Sequence, residues 1–279
     1  MLGKLIKYEF RATRRIMLPL VAAVLLLSAM SGYSAMMLDN DGSSAIINTF
    51  SVLIVIGFAL SIFAICAMSI VVMVQRFYKN LLGSEGYLMF TLPVSVDALV
   101  WAKLIVSFVW FVVTALVLFI AVLLLGLVSS TLMFDEATIS RLAQGTRDFI
   151  SMVGTGNIIG YIVEFIVLMF LLSCFSCLMF YLAMAIGQSF ANHKVLFSIL
   201  AYFALSILIS FISGAVMQIF FNTGLYPSLN AWVNSMSGFE AVFAAVHILV
   251  LGIAVMYAVF AALLYFPTTT LLKKRLNLA

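Results

Sequence analysis

Residues 76–103 read RFYKNLLGSEGYLMFTLPVSVDALVWAK, and their reading decides how the whole chain is laid out. Hydropathy alone would count the centre of this stretch as one more membrane crossing. The residues oppose that. Arg76 and Lys79 open it, Gly83 and Gly86 bracket Ser84 and Glu85, and Pro93 and Asp97 interrupt the rest. A segment facing lipid must satisfy its backbone polar groups internally, and two glycines, a proline and two carboxylates within about 15 residues work against that. Residues 76–98 are therefore expected to form a long amphipathic loop with a short helix, lying at the membrane surface between two spans.

Composition supports the membrane setting. Of 279 residues, 66% are hydrophobic and only 9% charged, against about 25% charged in a soluble domain. That leaves too little polar surface to cover a water-soluble globule of this size. The apolar runs reach the roughly 20 residues a helix needs to cross, and the alternating ten-residue strands of a barrel are absent. The expected fold is an all-α integral membrane protein with six transmembrane helices.

Working outward from the loop, the preceding span is expected at about 46–74 and the following one at about 99–128. Ser95 is placed to cap the third span, and Asp97 falls in its favourable first turn. Trp101 sits at the interface and Lys103 is expected to snorkel toward the headgroups. Upstream, residues 1–15 form an amphipathic segment: Lys4, Lys7, Arg11, Arg14 and Arg15 recur at helical spacing opposite a largely apolar face. A basic amphipathic helix of this kind suits the anionic headgroup layer. The apolar run at 16–38 exceeds the roughly 7–15 residues of a signal-peptide core and reads as an uncleaved first span, with Pro19 in its first turn. Asp39 to Gly42 make an acidic turn.

Downstream, residues 129–157 are the longest polar segment, with a short surface helix expected from Asp135 and Glu136. The fourth span is expected at 158–187 and the fifth at 195–221, joined by a brief turn. Residues 222–238, NTGLYPSLNAWVNSMSG, are too short and broken to cross, and Tyr226, Pro227 and Trp232 mark an interfacial or re-entrant element. The sixth span covers about 239–266, and Lys273, Lys274 and Arg275 follow it.

Charge sets the expected orientation. Six spans put both termini on one side. That side holds Lys4, Lys7, Arg11, Arg14, Arg15, Arg76, Lys79, Lys103, Lys194, Lys273, Lys274 and Arg275, whereas Arg141 and Arg147 alone lie on the other. The positive-inside rule then places both termini and the 76–98 loop in the cytosol, in a plasma (inner, cytoplasmic) membrane. The net charge of +4 reflects this clustering at span ends and not a surface for nucleic acid.

The chain carries no G-x-x-x-x-G-K-[ST] loop, no Ser/His/Asp arrangement and no H-E-x-x-H helix. No catalytic residue and no metal site is expected. Cys174 and Cys177 form a C-x-x-C inside an apolar run, and with Cys66 they read as small buried apolar residues. These observations leave a conduit, a secondary transporter, an intramembrane binding protein, or the membrane half of a machine with a separate motor.

The segment LLGSEGYLMFTLPVS, followed by Lys103, resembles the first cytoplasmic loop of ABC transporter permeases of the ABC-2 membrane family, in the bacterial branch linked to antimicrobial-peptide and drug export or immunity. Glu85, Leu88, Pro93, Val94, Ser95 and Lys103 match in kind the Glu, Leu, Pro-Val-Ser and later Lys that recur there. The Glu85-to-Pro93 spacing is longer than in many branches. The resemblance extends to the basic N-terminus, the six spans and the broken element before the last one. It implies a coupling helix in the loop, with Glu85, Tyr87, Leu88, Met89, Phe90 and Pro93 docking on separate cytosolic ATPase subunits. Those partners would carry ATP and Mg, this chain binding no cofactor, and a second permease copy or paralogue would complete the exporter. The substrate class implied is hydrophobic or peptide-like. Against this stands the plainer reading that Gly, Glu and Pro merely end helices at an interface. A motor-free secondary transporter, or a membrane-embedded immunity or sensor protein, is the alternative function.

Two ionisable residues fall inside spans. Glu164 is expected roughly 9 Å and His247 roughly 12 Å below the same membrane face, at about 1.5 Å per residue. Glu240 lies one heptad before His247. Such groups are costly in hydrocarbon and mark either a substrate-lining or ion-linked site, or a structural Glu–His bond, or a snorkelling Glu. Ser206, Ser210 and Gly214 form a small-residue stripe on the fifth span, of the kind that favours close packing.

Overall fold

A computed structural model describes residues 2–38, 44–83, 86, 91, 93–130, 136–190, 192–236 and 238–274. The described residues contain no strand. They form α1 (Leu2–Leu38), α2 (Ala45–Phe77) with a π-helical turn at Tyr78–Leu82, α3 (Val96–Ser130), α4 (Glu136–Val153), α5 (Thr155–Gln188), α6 (Lys194–Asn222), α7 (Leu225–Asn234) and α8 (Phe239–Lys274). Six of these, α1, α2, α3, α5, α6 and α8, are long and apolar enough to cross a membrane. This is an all-helical, multi-pass membrane protein.

The helices run past the expected span limits. Residues 2–15 are not a separate helix. They are the first turns of α1, which continues through Pro19 to Leu38. No glycine or proline lies between Lys4 and Leu18 to break it, and at about 1.5 Å per residue α1 is roughly 55 Å long, well beyond a hydrocarbon core of about 30 Å. Pro19 therefore lies in mid-helix rather than in a first turn. α2 likewise carries Arg76 in its last turn and passes into the π turn, so the loop starts later than residue 76. α8 continues through Pro267 to Lys274. There Thr268 donates to Leu264 O at 2.7 Å and Thr270 to Phe266 O at 2.7 Å. Both are bonds to the threonine's own i−4 carbonyl, and neither reaches Leu263 O, the carbonyl whose backbone donor Pro267 removes. The surface helix after Glu136 is longer than expected, reaching Val153. Residues 225–234 are a short helix, α7, with no buried residue.

The chain divides into two compact units, residues 1–75 with 101–149 and residues 76–100 with 150–279. In the first, α1, α2 and α3 meet along two clusters. Met17, Val72, Met73, Val106 and Trp110 form one, and Val24, Phe58, Ile65, Val117 and Ala121 the other. Gly32 lets α1 approach α3, since a Cβ there would lie 2.8 Å from Val128 Cβ and 2.9 Å from Leu125 O.

In the second unit α5 is central, packing on both α6 and α8. At one end of the α5–α6 pair, a Cβ on Gly187 would fall on Ser198 Oγ and within 2.7 Å of Lys194 O. The turn between them passes through His193 in the left-handed region, at φ 56°. Ser206 is half-buried, while Ser210 and Gly214 are exposed, and nothing lies within 4 Å of a Cβ placed on Gly214. The stripe is not a packing seam within this chain.

Candidate functional site

The loop after α2 is held at both ends within the second unit. Upstream, the chain widens into the π turn, closed by Gly83 N donating to Tyr78 O at 2.8 Å. Asn80, Leu81 and Leu82 are buried, and the turn packs on α5. Phe77 lies flat on Tyr181 of α5, with ring centroids 3.8 Å apart and planes at 7°. This aromatic pair bolts the loop's entrance to the middle helix of the unit.

Downstream, Ser95 Oγ accepts from Ala98 N at 3.3 Å, the cap expected from the sequence. Asp97 does more than favour the helix N-terminus. Its Oδ1 accepts from Tyr265 OH at 2.9 Å and its Oδ2 from Lys273 Nζ at 2.7 Å, both on α8. The loop's exit is thereby tied to the last helix. Pro93 is exposed between the two anchors. Glu85, Tyr87, Leu88, Met89 and Phe90 lie outside the described residues.

Toward the opposite end of α5 and α8, the structure joins Glu164 and His247, whose depths matched on residue counting. Nδ1 of His247 lies 2.8 Å from Oε1 of Glu164. The imidazole stacks on Tyr161, with centroids 4.1 Å apart and planes at 3°. Tyr161 OH in turn donates to Phe243 O at 3.1 Å, one helical turn before His247. The ring packs on α5 at Gly160, where a Cβ would lie 3.6 Å from His247 Cε1, an ordinary contact. Glu240, two turns away in the first turn of α8, is exposed. Tyr161, which the sequence reading missed, is identifiable afterwards by its position three residues before Glu164, on the same helical face.

The first unit holds an ion pair that the sequence reading also missed. Lys103 does not snorkel. Its ammonium donates to Glu9 Oε1 at 2.6 Å, and the two side chains are only 5% and 10% exposed. Trp110 Nε1 donates to Thr13 Oγ1 at 2.7 Å, Thr13 donates to Glu9 O at 3.0 Å, and Phe10 stacks on Trp110 at 5.1 Å. Ser69 and Thr114 share a hydrogen bond of 3.0 Å deeper in the unit. The face of α1 bearing Glu9, Thr13 and Met17 is buried, whereas Lys4, Lys7, Arg11, Arg14 and Arg15 are exposed. The signal was present in Lys103, a base inside an apolar run, and in Glu9, the one acid of a basic segment.

Among the described residues, no three His, Cys, Asp or Glu side chains gather as metal ligands. Cys66 is exposed, Cys174 and Cys177 are buried, and all three are free thiols. The burial of Cys66 expected from its apolar setting does not occur within this chain. No family model, no curated protein and no solved structure matches the chain.

Proposed function

We propose that this protein is the membrane-spanning permease subunit of an ABC-type exporter, driven by separate cytosolic ATPase subunits that bind ATP and Mg. The observation that carries the reading is the loop itself. A segment resembling a coupling loop is anchored by Phe77 on Tyr181 of α5 and by Asp97 on Tyr265 and Lys273 of α8. A push on the loop between those anchors is delivered to the two helices that carry Glu164 and His247. Rigid elements with two arrangements are what transmits such motion.

In this reading both termini and the loop face the cytosol, because the Lys and Arg residues gather on that side. The exposed cations of α1, Lys4, Lys7, Arg11, Arg14 and Arg15, meet anionic lipid at the cytoplasmic surface of the plasma membrane, and the first turns of α1 form the amphipathic part of that helix. Two permease chains, identical or paralogous, assemble with two ATPases. Closure of the ATPases on ATP repacks α5 against α8 and alternates access for a hydrophobic or peptide-like substrate.

The test is reconstitution of the native complex in nanodiscs and measurement of ATP hydrolysis. The reading expects ATPase activity that rises with substrate and falls when Leu88 or Phe90 is replaced by Ala, the chains remaining inserted. A parent protein isolated without an ATPase partner and active alone would instead favour a motor-free transporter, immunity or sensor protein.

A further inference from the structure

We infer that Glu164 and His247 form a proton-binding site in the seam between α5 and α8. The 2.8 Å contact from Nδ1 to Oε1 requires a proton between the two atoms. With one proton there, the imidazole is neutral, the carboxylate is ionised and the pair carries a net charge of −1. Adding one proton from solution makes the pair neutral, as imidazolium–carboxylate or as imidazole–carboxylic acid. The bound proton belongs to the pair and not to either residue alone.

Three features favour a proton over any larger cation. First, Glu164 Oε2 is buried and accepts no hydrogen bond from the described residues. An ion or a water would need room beside that oxygen, and a proton needs none. Second, among the described residues of this unit, the helices packed at the pair bring no cation near it. α5 and α7 contain no Lys or Arg, Lys194 lies at the far end of α6, and Lys273 lies roughly 39 Å along α8 from His247. The other titratable groups on the packed helices are Tyr161 on the imidazole, Cys174, Cys177 and Tyr181 further along α5, exposed Glu240 with Tyr257 and Tyr265 on α8, Tyr202 on α6, which stacks on Phe180 instead, and Tyr226 on α7. None is a fixed positive charge. Third, the imidazole is positioned independently of Glu164, by Tyr161 and the bond from Tyr161 to Phe243 O. The partner therefore stays in place in both protonation states. In surroundings this apolar the neutral pair costs far less than the charged one.

The link from this proton to transport rests on the exporter reading. The loop's anchors lie on the same α5 and α8, so parting the seam hydrates the pair and releases the proton, while protonation favours the closed seam. The coupling is reciprocal by linkage.

The experiment is nitrogen-15 NMR of histidine-labelled protein in nanodiscs. The chain has two histidines, so a His193→Asn background, which keeps a residue tolerant of the left-handed backbone, leaves His247 alone in the spectrum. The expected result is a His247 ring signal that changes with one proton taken up by the pair, and that follows a different pH course in Glu164→Gln. Tyr161→Phe keeps the stack and is expected to retain that pH-dependent change. A His247 ring whose protonation state and tautomer both stay fixed wherever the protein remains folded would overturn the inference, and that arm needs no change at Glu164. So would equal proton binding with and without the Glu164 carboxylate. Neither measurement uses ATP or an ATPase. A protein without an ATPase partner therefore removes the exporter reading and leaves the proton site standing, and the reverse holds as well.

Discussion

Lys273, near the end of the last helix, donates to Asp97 at 2.7 Å across 176 positions of the chain. Tyr265 donates to the other oxygen of the same carboxylate. Asp97 thus accepts two donors from one helix, and those donors lie eight residues apart, about two turns of α8. A carboxylate that helix physics places in the first turn of α3 also fixes where the loop ends.

The pair is open to solvent, with Lys273 47% and Asp97 40% exposed. Its contribution to stability is accordingly small, about 1 kcal/mol or less. Asp97→Asn and Lys273→Gln should leave the unfolding temperature nearly unchanged and lower substrate-stimulated ATPase activity in the reconstituted complex. The double variant should be no worse than either single one, since each removes the same tie. Additive losses would show that the two residues act separately.

The Glu9–Lys103 pair should behave in the opposite way. Both charges are buried, and breaking a buried ion pair by removing one member costs about 3–5 kcal/mol. Replacing both with apolar residues of similar size removes both desolvation penalties. Lys103→Met and Glu9→Gln should each unfold at clearly lower temperature, and Glu9→Met with Lys103→Met should recover most of the loss. Thermal unfolding in one detergent reads the difference, and a double variant as unstable as the singles would show that the charges themselves are required.

Glycine contacts test the packing directly. Gly187→Ala drives a methyl group into Ser198 and the Lys194 carbonyl, and Gly32→Ala drives one into Val128 and Leu125 O. Overpacking of this kind costs about 1–3 kcal/mol. Gly214→Ala meets nothing within 4 Å and should be neutral for the isolated chain. Equal stability of all three variants would contradict the helix contacts described.

Orientation is open to labelling. In a background lacking Cys66, Cys174 and Cys177, an impermeant thiol reagent applied to intact cells should reach a cysteine placed at position 140 and not one at position 85. The reverse pattern would invert the proposed topology.

The long apolar runs made the six helices legible, because only helices and closed barrels satisfy their backbone groups in hydrocarbon and a barrel needs alternating strands. Their limits were less legible. Pro19 and Pro267 signal helix ends in water, yet α1 and α8 continue through them, since in hydrocarbon ending the helix would leave more backbone groups unsatisfied than one proline does. Glu164 and His247 could be paired from depth, since a costly group in a span needs a partner and the two lay at similar heights. Glu9 and Lys103 could not, because Lys103 near a span end has a second inexpensive solution in snorkelling. Only the packing of α1 on α3 decides between the two. Asp97 and Lys273 each had a complete local explanation, as a helix-dipole charge and as a positive-inside charge, so nothing in the sequence asked for a partner.

The most direct test of the coupling role is site-specific photo-crosslinking in native membranes, with the photoreactive residue at position 88 of the loop and, as control, at position 140. A loop that receives force from a motor must touch it, and a buried anchor of that contact is worth about 2 kcal/mol or more. The account predicts an adduct between position 88 and a P-loop ATPase subunit, with none from position 140. It also predicts that the adduct's yield changes when ATP is replaced by ADP. Absence of an ATPase adduct from position 88 and from its neighbours 85, 87, 89 and 90, in protein that is inserted and intact, would contradict it.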